Sequence, residues 1–135
     1  MKSKVAVACM ITGVMFSNNV WAVDHGCGPR PMAPELFDPQ SADRDQVMAN
    51  KASFEKYQAA NTVYLDCIEA YAKSDTFSAQ AQDEINAQTA ELNRELQAVM
   101  AEEQAYADSF NANARTWVEV QRAARTATEE ETPNP

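Results

Sequence analysis

Glycine is nearly missing from this chain of 135 residues, with only 3, and all 6 prolines fall before residue 40 or after residue 132. Sheet proteins draw their turns from these two residues, so the scarcity argues against a β-rich fold. Histidine occurs once, at His25, and any Ser-His-Asp or Cys-His relay would have to be built on that one ring. A Gly-rich phosphate loop, a CxxC pair, an HExxH helix and an Asp-rich calcium loop are all lacking. The expectation is a protein that is not an enzyme, with no catalytic residue, no cofactor and no small-molecule substrate. Positive charge is also short, 11 Lys and Arg against 20 Asp and Glu, for a net charge of -9. A duplex nucleic-acid binder needs a basic stripe to displace counterions, so nucleic acid is not an expected partner.

Long apolar runs are absent as well. The longest, Val5 to Phe16, is too short to cross a bilayer core as a helix. It follows Lys2 and Lys4 and precedes Ser17-Asn18-Asn19 and Val20-Trp21-Ala22, which is the layout of a signal peptide over residues 1–22 with cleavage after Ala22. The expected location is therefore periplasmic or secreted, with no membrane span in the mature form. Removing residues 1–22 takes away two lysines and no acids, which leaves nine basic and twenty acidic groups, a net charge of -11. Cys9 leaves with the signal. Cys27 and Cys67 remain, and in an oxidising compartment they are expected to pair.

What is present is helix. Residues 23–40 hold two Gly and four Pro and read as an extended strap. From Ser41 onward the composition changes. Val47, Phe54, Asn61 and Ile68 take a positions and Asn50, Tyr57, Tyr64 and Tyr71 take d positions of a heptad, which predicts a helix over about 41–73. Ile85, Leu92, Leu96, Val99, Tyr106, Phe110, Trp117 and Val120 form a second stripe, which predicts a helix over about 78–124. The short link Ser74-Asp75-Thr76-Phe77, with Thr76 or Ser78 as N-cap, folds the second helix back on the first. The fold class expected is all-α: a long antiparallel two-helix hairpin of coiled-coil type, with the Pro-rich N-terminal strap tied by one disulfide. Cys67 lies 26 residues beyond Ser41, roughly 39 Å along a helix, and the fourteen residues from Cys27 to Ser41 reach roughly 46 Å when extended. The bond can close only if the strap runs back along the hairpin. Residues 125–135 are polar, acidic and Pro-ended and read as a disordered tail.

The segments Cys27-Gly28-Pro29-Arg30-Pro31, Val47 to Tyr57, Asn61 to Ile68 with Tyr64-Leu65-x-Cys67, and Phe110-Asn111 resemble small exported proteobacterial helical proteins of unknown function. These pair a Cys-Pro-rich start with a helical Tyr-x-x-Cys and a second long helix. The resemblance implies signal, disulfide and helical hairpin, and it implies no activity.

Two candidate sites remain. After cleavage at Ala22 the chain would begin Val23-Asp24-His25, whose α-amine, two amides and imidazole can wrap a square-planar Cu(II) or Ni(II). Phe54, Tyr57, Tyr64, Leu96, Val99, Tyr106, Phe110 and Trp117 form an interaction face if the strap cannot cover them, although their helical spacing reads as core first. The leading expectation is a secreted helical protein that acts through protein partners or itself, as a chaperone-like holder or an envelope accessory. Metal handling through the mature N-terminus is the alternative.

Overall fold

The computed structural model describes residues 23–130, with the backbone alone for Glu130. The expected signal peptide, and the tail beyond Glu130, lie outside the described residues. Among the described residues about three quarters are helical and none forms a strand. Helix α1 spans Arg44–Ala72, a single turn α2 spans Asp75–Ser78, and α3 spans Gln82–Glu130 with 49 residues. Among the described residues no helix is long and apolar enough to cross a membrane.

Each boundary has a local cause. Asp38 bends the chain before α1, because its carboxylate accepts the Gln40 N–H at 3.0 Å and the Ser41 hydroxyl at 2.7 Å. Its carbonyl also takes the N–H groups of Ser41 and Ala42. Residues 39–41 are therefore a turn, and α1 begins three residues later than the heptad alone suggests. Asp43 is its N-cap and forms a capping box with Gln46, two reciprocal hydrogen bonds of 2.8 Å.

The link after α1 differs from the expectation in kind. Ser74 caps α2 by accepting the Phe77 N–H at 3.2 Å, and this places Phe77, only 6% exposed, in the core. Ser78 ends that turn and caps nothing, and α3 starts only at Gln82. At the far end α3 passes Ala124 and continues through residues expected to be disordered. With no Gly or Pro before Glu130, each further residue adds a backbone bond, and Thr126 and Thr128 hydroxyls donate to the carbonyls of Arg122 and Ala124.

α1 and α3 meet through side-chain pairs: Tyr71 with Gln88, Tyr64 with Glu95, Asn61 with Glu103 and Asn50 with Tyr106. The numbers fall along α1 as they rise along α3. All eight a and d positions of α1 are buried or half-buried, and so are all eight residues of the α3 stripe. Ile68 is fully buried, and Val99 and Asn61 are 1% exposed. Burying a side chain of Ile68's size contributes about 1.5 to 3 kcal/mol.

The N-terminal segment covers what the two helices leave open. The sulfurs of Cys27 and Cys67 stand 2.06 Å apart, a disulfide between residues 40 apart in sequence. Farther on, carbonyls of the segment accept from both helices: Glu35 from Asn50, Phe37 from Asn113 at 2.9 Å, and Ala42 from the Trp117 indole at 2.9 Å. The segment thus travels back along α1 from Cys67 toward its start. Phe37, 8% exposed, sets its ring edge-on to Phe110 at 5.6 Å.

Candidate functional site

A cleft lies where the N-terminal segment meets the middle of the helices, lined by Val23, Asp24, His25, Cys27, Tyr64 and Glu95 among others. Two glycines shape it. Gly26 and Gly28 have φ of +66° and +77°, so the chain turns on both sides of Cys27 in a conformation that side chains disfavour. Asp24 accepts the Gly26 N–H at 3.3 Å, His25 Nδ1 accepts the Cys27 N–H at 3.1 Å, and the His25 N–H donates to the Val23 carbonyl at 3.0 Å.

With Nδ1 accepting, the neutral ring carries its proton on Nε2, which faces the Tyr64 oxygen at 3.5 Å. Tyr64 in turn donates to Glu95 Oε1 at 3.1 Å. Burial raises the Tyr64 phenol above its ordinary value, and the charge of Glu95 adds to that, so the group is held as a phenol. Arg30 lies on the other side of the carboxylate, its Nε 3.9 Å from Glu95 and its Nη2 2.7 Å from Glu102. Both of those nitrogens are buried without a well-aligned hydrogen bond, so Arg30 attracts the two acids as a charge more than as a fork.

This cluster fastens the segment onto the helices. Its thiols are joined to each other, its tyrosine is protonated, and its carboxylate is engaged from two sides. Among the described residues no group of three or more His, Cys, Asp and Glu is placed to hold a metal ion. The sequence Val23-Asp24-His25 stands at the rim of the cleft, but not in a chelating form. A square-planar ion would need His25 Nδ1 and the His25 amide nitrogen, and both are engaged in the bonds just described.

The expected interaction face lies inside. Tyr57, Tyr64, Val99 and Tyr106 are buried, and Phe54, Leu96, Phe110 and Trp117 are half-buried. Phe54 packs against Tyr106 with centroids 4.8 Å apart and against Phe110 at 6.1 Å. An exposed aromatic stripe is thus corrected to a covered one, because the N-terminal segment contributes Phe37 and Ala42 as well as the disulfide. The large apolar side chains left outside are Met32, Met48, Val63, Met100 and Val118.

Other parts of the arrangement were not legible from spacing. Glu103 reads as a solvated acid, yet it accepts from Asn61 Nδ2 at 2.9 Å and from Gln58 Nε2 at 3.1 Å and so serves the buried amide. Glu95 and Glu102 are seven residues apart on one helical row, and Arg30 is the only Lys or Arg in residues 23–40. That combination is the signal that could have found the ion pair. On the surface Glu69 pairs with Lys73 at 2.6 Å, whereas Glu119 and Arg122, three residues apart on α3, do not pair.

No protein family matches this chain, and neither does any curated protein or solved structure.

Proposed function

We propose that this protein is an exported, non-enzymatic helical hairpin that acts through contacts with other proteins or with itself. The signal-like start, cleavage after Ala22 and a periplasmic or secreted location belong to this reading, as does kinship with the small exported proteobacterial helical proteins it resembles. The N-terminal segment acts as a strap, locked over the hairpin by Cys27–Cys67, a bond suited to an oxidising compartment.

The observation that carries the proposal is the unequal length of the helices. α3 has 49 residues against 29 in α1, and residues 122–129 are exposed throughout. Among the described residues the aromatic side chains fill the interior, and the exterior of this long helix is the surface with room for a partner. An envelope accessory fits this exterior better than a chaperone-like holder, whose sticky face would have to be the stripe now covered.

The test is cross-linking in intact cells followed by mass spectrometry. The expected result is a chain beginning at Val23, with Cys27 and Cys67 oxidised, in defined adducts with itself or another envelope protein. A cytoplasmic, reduced chain that still carries residues 1–22 would overturn the location, and an absence of adducts would overturn the interaction.

A further inference from the structure

Residues 111–125 of α3 carry a charge pattern unlike the rest of the molecule. Arg115, Val118, Arg122 and Arg125 follow one another by three, four and three residues, which sets them on one helical row. All four are exposed, Val118 at 46%. Two shallow clefts run along this row, and among the described residues every one that lines them belongs to α3. The ion pairs among the described residues engage Arg30, Lys51, Lys73 and Arg94 and leave these three arginines without a carboxylate. Between residues 111 and 125 three arginines face a single acid, Glu119, whereas residues 23–110 carry six basic and sixteen acidic side chains. One stretch of an otherwise anionic chain is cationic, and acids return only from Glu129 onward.

We propose that this arginine row docks on the acidic body of a second copy of the chain. The inference rests on the interaction reading above and names its surface and its partner. Arginine binds carboxylates through a planar fork, and Val118 between the arginines supplies an apolar centre that water leaves on contact. The overall negative charge does not prevent this. At physiological ionic strength charges are screened beyond about 8 Å, while α3 is about 70 Å long. The groups at the contact therefore decide the sign, and there the signs are opposite.

Sedimentation velocity of the oxidised protein in its native processed form tests the proposal. At about 0.15 M salt it should run as an assembly larger than the monomer, and at about 1 M salt it should fall back to monomer as the contact is screened. The triple variant R115Q/R122Q/R125Q should weaken association at least tenfold, Val118→Ser should weaken it less, and Lys51→Gln with Lys56→Gln should leave it unchanged. All substituted positions are exposed, and helical circular dichroism checks that each variant is folded. A monomer at every salt, or equal loss in the lysine control, overturns the proposal. A monomer that still cross-links to a different envelope protein would refute this partner and leave the broader reading standing.

Discussion

The two ends of α3 sit in opposite circumstances. Near its start, Leu92 and Val99 face Tyr64 and Ile68 beside a disulfide, and Glu95 is held from two sides. Past Gln121 the side chains of the helix are all exposed up to Glu129. Both stretches are helical, so the comparison separates helix formation from helix burial. The first needs only the absence of Gly and Pro and a run of good formers; the second needs a partner that the sequence of the helix does not contain.

The sharpest way to break the contrast is to place a charge at each end. Val99→Asp should destabilise the fold by about 4 kcal/mol, because it leaves both a cavity and an uncompensated buried carboxylate. Arg122→Asp should change stability by less than about 0.5 kcal/mol. Urea unfolding followed by helical circular dichroism measures both, and similar shifts would erase the distinction between the ends.

Removing the tether is expected to rank next. Cys27→Ser with Cys67→Ser opens a loop of 40 residues, which in the chain-entropy account costs about 3 to 4 kcal/mol. The same urea experiment, compared with the oxidised parent, provides the number. Below that comes Glu95→Ala, expected to cost about 1 to 2 kcal/mol, since it strands the Tyr64 hydroxyl and removes one of Arg30's two acids. Glu119→Ala, an exposed acid without a partner, should be neutral in that assay. From the sequence Glu95 looks just as expendable as Glu119, so these two substitutions measure what the contact list adds to the helical pattern.

The smallest effect is one of pH. The Tyr64 phenol is raised above its ordinary value of 10.0, chiefly by burial, so the fold favours the protonated form. Its contribution is complete below the unfolded value and is lost as pH rises through the higher folded one. The unfolding midpoint should therefore drop above about pH 10, and drop less in Tyr64→Phe, when thermal melts are compared between pH 8 and 11. Identical alkaline profiles would mean that Tyr64 ionises as freely in the fold as in the open chain.

The heptad in α1 was readable because burial on one side of a helix imposes a period, and Asn61 obeys that period although it is polar. The anchors of the N-terminal segment had no such period. Phe37 and Ala42 lie in an extended segment where neighbouring residues leave in different directions, and only the fold shows which of them turn inward. Phe77 was hidden for a related reason, since a one-turn helix is too short to display a pattern. The capping box of Asp43 and Gln46 was present in the letters, but the apolar stripe does not fix a helix start to within a turn, and the Asp38 bend decided it. In the site, Arg30 and its acids are paired across 65 residues or more, and long-range pairing leaves no trace in local spacing.

The covalent bridge also changes how the chain would carry a mechanical load. Tension applied between the N-terminal side of Cys27 and the end of α3 passes from Cys27 directly to Cys67, so the residues between them bear none of it. About 140 Å of extended chain is thereby withheld from stretching, as long as the bond is intact. The turn before α1 and most of α1 itself lie in that sheltered stretch, whereas Ile68, α2 and all of α3 lie in the loaded path. Pulled from its ends, the oxidised molecule would shed α3 from a first helix still mostly coiled, and reduction would return the hidden length to the path.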